Sequence, residues 1–400
     1  MLVEKMTMRK DMNSFPESFP SPDEELLLRV LLSPDEELAE HYAAWKSTTV
    51  FDAVPYAVLG LMPLLYIRLS KHGIVDELTP RLHGIYKYAW TKNQLLIAEV
   101  RTLLEVLNAT GVSSVVLKGV PLLLTVYKDV GARFLGDVDV LIHGHDAPTV
   151  LRYLTETGWT YKDPAIVPEG TRFGLDTVIH ATPLTKPGGL ELEVHWHVYH
   201  VETKSHALRL LTLGSMSHAQ PDDAYHWEHA VLTTVRDVPT RMLSPEDFLV
   251  HIISHGADGN SMRPFRWVVD AVWLIRAHAT LDWQEVVRAA EVADRSIDVS
   301  IGLRYLAERG FANIPETVIR ELAEHPVSAL DARRYRRRTT VSKSLLGNFP
   351  LLWYRYFKFE SNGTVYGFPS FLARQWGLKS ALEVPGYVTK KYTQRLGVHK

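Results

Sequence analysis

The sequence has 400 residues, 46% of them hydrophobic and 22% charged, with a formal net charge of −2, so one large domain or two to three ordinary ones with buried cores are feasible. There is no cysteine, which excludes a disulfide scaffold, a Cys-ligated zinc centre and a thiol nucleophile, and fits a cytoplasmic protein. Charge is uneven: residues 331–400 hold 14 Lys/Arg against 3 Asp/Glu, which leaves the first 330 residues net acidic.

Residues 1–20 read as a flexible start. Glu4, Lys5, Arg9, Lys10 and Asp11 interrupt any signal-peptide apolar run. Ser21-Pro22-Asp23-Glu24 and Ser33-Pro34-Asp35-Glu36 both carry a helix-start pattern, and Ser244-Pro245-Glu246-Asp247 repeats it. Residues 21–110 form an N-terminal helical region. Its clearest helix is expected from Tyr88 to Asn108, with Leu95, Leu96, Val100, Leu103, Leu104 and Leu107 on one face, stopping at Gly111. The uncharged stretch between Asp52 and Arg68 is broken by Pro55 and Pro63 and is shorter than the ~20 residues a spanning helix needs. It reads as buried helices of a soluble protein.

Over residues 111–205 the pattern changes to strands. Ser114–Leu117 is a short β-branched run ending at Lys118-Gly119, and Pro121 opens a helix through Tyr127. A turn at Asp129-Val130-Gly131 leads into a strand Asp137–Ile142. Asp146 caps a helix that ends at Gly158. Strands Asp176–Leu184 and Leu190–Tyr199 flank Lys186-Pro187-Gly188-Gly189, a hairpin signal. Residues 206–330 form a C-terminal helical region, with helical periodicity from Leu243 to about Ala323, and 331–400 a basic aromatic tail. The fold class is α+β: a small mixed sheet with helices, flanked by helical regions on both sides.

Chemistry concentrates in the strands. Asp137 and Asp139 are two apart and project from one strand face. Two like charges so placed repel unless a cation lies between them, and hard carboxylate oxygens favour Mg²⁺ or Mn²⁺. Glu191, Glu193, His195 and His197 alternate with Leu190, Leu192, Val194 and Trp196. If that strand pairs beside the Asp137/Asp139 strand, Glu193 adds a third carboxylate, enough to hold divalent ions against a triphosphate. Lys118-Gly119 stands before a helix N-terminus, where backbone N–H groups and close approach suit phosphate. Arg133, in the turn before the Asp strand, is a second cation for the triphosphate.

Leu117-Lys118-Gly119, Tyr127, Arg133, Asp137-x-Asp139-x-Leu141 and Glu193-x-His195-Trp196 resemble the motif series of the uncharacterised nucleotidyltransferase family in the DNA-polymerase-β superfamily. Trp45–Lys71, Ser244–Gly256 with His251 and His255, and Arg266-Trp267-x-x-Asp270 resemble its flanking helices, so the likeness covers roughly residues 40–280. The resemblance implies a polymerase-β-like core and Mg²⁺- or Mn²⁺-dependent transfer of a nucleoside monophosphate from an NTP to an acceptor. Asp137, Asp139 and Glu193 would be the metal ligands; with His195 they form the catalytic set, and Lys118, Gly119 and Arg133 bind the nucleotide. The acceptor could be a small molecule, a peptide or RNA, and members occur in bacterial biosynthetic clusters, including those of modified peptides. One departure is Val120 after Gly119, where the superfamily usually has a second Gly or Ser donor, which shifts phosphate work onto Lys118. His195 either assists proton transfer from the acceptor or orients Glu193.

Two other readings stand beside this one. The 18 histidines include His195-x-His197 and His251-x3-His255, spacings able to chelate zinc in a zinc or di-metal hydrolase, although His251 and His255 also suit a packed helix face. The core could instead be a non-catalytic module that holds a nucleotide or peptide. Ser254 and Ser261 lie near histidines without a nucleophile-elbow motif. In the tail, Arg333, Arg334, Arg336, Arg337 and Arg338 precede Trp353, Tyr354, Tyr356 and Phe357. That mixture suits either packing against the acidic body or an anionic partner.

Overall fold

A computed structural model describes residues 15–16, 19–162, 181–199, 223–256, 265–326, 367–375 and 380–389. The chain divides into two compact units, 1–339 and 340–400. The five tail arginines, the tail aromatics Trp353 to Phe357, Ser261 and the first half of the strand expected at Asp176–Leu184 lie outside the described residues.

Ser21 caps helix α1 (Pro22–Leu32) through a reciprocal capping box with Glu24. The similar signal at Ser33 does not cap a helix. A 3-10 turn over Asp35–Glu37 intervenes, and α2 (Leu38–Thr48) starts after it without a side-chain cap. Helices α3 (Tyr56–Leu59) and α4 (Met62–Lys71) follow, divided at Gly60-Leu61, with Pro63 in the first turn of α4, where a proline is tolerated. Helix α5 runs from Thr79 to Ala109, nine residues earlier than the periodicity alone indicates. Its buried stripe is Leu82, Ala89, Asn93, Leu96, Ile97, Val100, Leu103, Leu104 and Leu107, while Leu95 faces solvent. At ~1.5–3 kcal/mol for each large apolar side chain buried, this stripe fixes α5 against strands of the sheet.

The sheet has seven strands in the order β3-β4-β5-β2-β1-β7-β6. They are β1 (Ser114–Leu117), β2 (Val138–Ile142), β3 (Thr160–Tyr161), β4 (Ala181–Lys186), β5 (Leu190–His195), β6 (Val231–Val235) and β7 (Val238–Met242). β2 pairs antiparallel with β1 and parallel with β5, so its residues are buried on both faces. The β4–β5 hairpin turns through Pro187, Gly188 and Gly189, the two glycines at φ 94° and 72°. The β6–β7 hairpin is a correction to the helical region expected from residue 206 onward. It turns at Arg236-Asp237, with Arg236 at φ 57°, rather than at a glycine, so the usual hairpin signal is missing. β7 joins the sheet parallel to β1.

Between β1 and β2 the chain makes one α-helical turn (Gly119–Pro121) that continues as a π-helical segment, Leu122–Tyr127. Helix α6 is this combined element. Helix α7 (Ala147–Glu156) follows Asp146, whose side chain makes no capping bond, and α8 is Asp223–His229. C-terminal to the sheet come α9 (Pro245–Gly256), capped by Ser244 Oγ accepting from Asp247 N at 3.2 Å, then α10 (Arg266–Ala277), α11 (Trp283–Val292), α12 (Ser296–Glu308) and α13 (Glu316–Glu324). α9 packs against α10, α11 and α12, and α10 packs on both the π-helical segment and α1. Gly256 permits this approach: a Cβ there would collide with the Trp267 side chain. In the second unit, α14 (Phe368–Gln375) buries Phe368, Leu372 and Ala373.

Candidate active site

Strand register brings the acids together. β2 and β5 pair in parallel with Asp139 opposite Glu193 and Leu141 opposite His195. The pairing that the sequence left conditional is therefore present. β1 lies on the other side of β2 with Leu117 opposite Asp139, so the next residue, Lys118, emerges beside the same carboxylate. Lys118 has φ 52° and ψ −112°, a conformation costly for a residue with a side chain.

Asp139, Glu193 and His195 have ligand atoms all within 4.8 Å of one another, the group of His, Asp and Glu among the described residues able to hold a metal ion. His195 Nε2 lies 2.9 Å from Asp139 Oδ1 and 3.1 Å from Glu193 Oε2. The Lys118 ammonium donates to Asp139 Oδ1 at 2.5 Å and to Glu193 Oε2 at 3.4 Å. Asp139 and His195 are each only 1% exposed, so these charges interact with little screening by water. Asp137 sits one residue before β2 begins, outside the close group but in the same cleft.

The electrostatics follow from this packing. Burial pushes the Asp139 carboxyl up, but the Lys118 ammonium and the His195 hydrogen bond outweigh it and hold the pKa below the usual value. Glu193 is likewise lowered, with His195 and Lys118 overcoming its burial. For His195, burial and the Lys118 charge press downward, and hydrogen bonds to Asp139 and Glu193 reverse the sign to raise it. Asp137 behaves differently. Repulsion from Asp139, then burial, raise its pKa from 3.8 to about 6.

Lys118, Asp137, Asp139 and Glu193 line a cleft of about 230 Å³, closed on its far side by α9 and α10, while His195 lies behind the two carboxylates it touches. His251, His255, Arg266, Trp267 and Asp270 form that wall. Gly119 stands at the N-terminus of α6, and a Cβ there would lie 2.7 Å from Arg133 Nη1 and collide with Leu135. Arg133 lies in the cleft wall, but its Nε and Nη2 bind Asp270 at 3.0 and 3.1 Å, and Tyr127 Oη donates to Asp270 at 2.7 Å. The cation assigned from sequence to the triphosphate is thus tied down by a carboxylate, with Nη1 turned toward Gly119. Its loop is fixed by buried Asn93, which donates to the carbonyls of Val130 (2.6 Å) and Arg133 (2.7 Å) and accepts from Leu135 N (3.0 Å).

His197 does not join the site. β5 ends at His195, the alternation stops there, and His197 Nδ1 binds Asp223 instead. His251 is buried and packs edge-on against Tyr199 with ring centroids 5.4 Å apart, and burial lowers its pKa well below the ordinary value. The zinc-hydrolase reading accordingly loses its His195-x-His197 chelate. Sequence reasoning did not assign Asn93, Arg266 or Asp270 to the site. The signals were a lone amide within the apolar stripe of α5, and the four-residue spacing that puts Arg266 and Asp270 on one face of α10.

A family model described as uncharacterised nucleotidyltransferase matches residues 56–309, the span that carries every element of this cleft. The chain belongs to that family. As a member of the uncharacterised nucleotidyltransferase family it is a nucleotidyltransferase, an enzyme whose substrate class is a nucleoside triphosphate. No curated protein is similar enough to count as a match. Among solved structures, an antigenic nucleotidyltransferase-like protein from Paracoccidioides brasiliensis is similar at 20% identity and a TM-score of 0.30, over 52% of this chain and 92% of that one. A superposition this loose adds nothing to the family assignment. Among the described residues, no helix is long and apolar enough to cross a membrane.

Proposed function

We propose that this nucleotidyltransferase moves a nucleoside monophosphate from an NTP to an acceptor hydroxyl with a divalent cation, Mg²⁺ or Mn²⁺, held by Asp139 and Glu193 with Asp137 completing the acid set. The observation that carries the proposal is the register of β2 on β5, which brings ligand atoms of Asp139, Glu193 and His195 within 4.8 Å of one another, with Asp139 and Glu193 lining the cleft. The donor set fits a hard cation, because Asp139 and Glu193 bring carboxylate oxygens, the donors such ions prefer, to one place beside the His195 ring nitrogen. When bound, the cation polarises the phosphates and offsets charge that develops during transfer.

The protein's own groups do the rest. The backbone N–H groups at Gly119 and the cations Lys118, Arg133 and Arg266 surround the space a triphosphate needs. His195, buried between Asp139 and Glu193, orients both carboxylates, which favours the positioning role over proton transfer. The acceptor oxygen forms a bond to the α-phosphorus, its proton passing to a carboxylate of the set. The bond to the β-phosphate oxygen breaks, and pyrophosphate leaves with the electron pair. The acceptor is a small molecule, peptide or RNA that enters from the open side of the cleft, and a biosynthetic or modified-peptide pathway is its setting. Cytoplasmic location accords with the absence of cysteine.

The test is mass spectrometry on reactions holding each of the four NTPs, Mg²⁺ and one acceptor from each class, with metal-dependent NTP binding followed by calorimetry. One acceptor should gain the mass of a nucleoside monophosphate. Asp139→Asn should abolish that gain and the metal-dependent part of NTP binding while the protein stays folded. Metal-dependent NTP binding that survives Asp139→Asn would place the site elsewhere.

A further inference from the structure

The Lys118 ammonium and the His195 imidazole converge on the same two oxygens, Asp139 Oδ1 and Glu193 Oε2. The Lys118 side chain is only 19% exposed, and its backbone is held at φ 52° to aim it there. That conformation is unfavourable for a non-glycine residue, so the aim is maintained by the surrounding strand and helix rather than by local preference. The position is also adjacent to Gly119, the first residue of α6, where phosphate would approach.

A divalent ion ligates carboxylate oxygen at roughly 2.0–2.2 Å and cannot share Asp139 Oδ1 with an ammonium in contact without strong like-charge repulsion. We infer that Lys118 is a built-in counter-ion of this acid set, which holds the carboxylates together before a metal arrives and must give up their oxygens when it does. The inference rests on the metal-nucleotide reading above and adds a regulation to it. The displaced ammonium, a compact charge on a flexible stem, turns to the triphosphate that arrives with the metal. Metal and nucleotide therefore bind as coupled partners: free metal must pay for moving Lys118, whereas metal with NTP gives the lysine a new anion.

Calorimetry and thermal melts with Mn²⁺ alone, then with Mn²⁺ and a non-hydrolysable NTP analogue, test this on wild type, Lys118→Met and Asp139→Asn. Lys118→Met should bind Mn²⁺ alone about tenfold or more tightly than wild type. It should also melt lower than wild type in EDTA, and gain more from added Mn²⁺. The analogue should strengthen Mn²⁺ binding in wild type and do so much less in Lys118→Met. Lys118→Gly, which suits the positive φ, repeats each measurement should the Met variant fold poorly. If wild type binds Mn²⁺ through Asp139 but loss of the ammonium leaves that affinity unchanged or weaker, the counter-ion role is overturned and the site stands. If Mn²⁺ binding is absent throughout, or survives Asp139→Asn, the metal site itself fails and the counter-ion role with it.

Discussion

The guanidinium of Arg133 lies against the carboxylate of Asp270, with Nε 3.0 Å from Oδ1 and Nη2 3.1 Å from Oδ2, both side chains almost fully buried. This pair joins the loop before β2 to α10 within the wall of the cleft. Removing one partner strands the other charge. Asp270→Ala is expected to cost about 3–5 kcal/mol in urea unfolding, and the double change Arg133→Met with Asp270→Leu distinctly less. A double-mutant cycle reads the difference as coupling. A single-mutant cost below ~1 kcal/mol would show that the pair does not organise the cleft.

Asn93 anchors the same loop from the opposite side. Asn93→Ala leaves one buried N–H and two carbonyls without their partner. The expected loss is at least ~2 kcal/mol of stability, with a further loss of NTP affinity because Arg133 is no longer held. Asn93→Leu should be no better, since the apolar stripe is already filled and the loop's polar groups are what the amide satisfies. Stability near wild type in either variant would mean that the loop is held by other contacts.

The raised carboxyl of Asp137 makes stability depend on pH in the metal-free protein. Its folded pKa of about 6 exceeds the ordinary 3.8, so the folded state holds this proton more tightly than the unfolded chain does. The contribution is therefore present in acid and is lost as pH rises through about 6. Above that, the ionised group destabilises by up to roughly 3 kcal/mol. Asp137→Asn should accordingly melt higher than wild type at pH 8 in EDTA, with the gap closing toward pH 4. Mn²⁺ affinity of wild type should fall as pH drops below about 6, because the proton competes with the metal. A melting gap that is the same at both pH values would rule out the assignment to Asp137.

Gly119 is required for space rather than for backbone freedom. An added Cβ meets Leu135 and lies 2.7 Å from Arg133 Nη1. Gly119→Ala is expected to cost ~1–3 kcal/mol through overpacking and to weaken NTP binding by moving the turn. Gly84→Ala, on α5 and outside the cleft lining, adds a Cβ that meets nothing within 4 Å and serves as the control. Equal behaviour of the two variants in melts and in nucleotide calorimetry would remove Gly119 from the phosphate turn.

How much of this was legible beforehand varies by element. Local signals were sufficient where neighbouring residues in the chain decide the outcome. The capping box at Ser21, the cap at Ser244, the glycine hairpin at Gly188-Gly189 and the β1–turn–helix at Lys118-Gly119 all appear where their sequences place them. The same logic failed at Ser33, where a 3-10 turn takes the first residues, and at the β6–β7 hairpin, whose turn is Arg236-Asp237 without glycine. Strand alternation identified Glu193 and His195 but carried on to His197, because periodicity contains no signal for where β5 stops.

Sequence by itself determined which acids, imidazoles and cations are available and which of them share a strand face, because side-chain direction alternates with fixed period along a strand. Only the tertiary structure decided their partners. Asp139 faces Glu193 through a pairing between strands more than fifty residues apart, Asp270 takes up Arg133 from 137 residues away, and Lys118 turns onto the carboxylates. The physical reason is that a buried charge is placed by whichever opposite charge the packing brings within hydrogen-bond reach, and that distance is set by sheet register and helix docking, not by spacing along the chain.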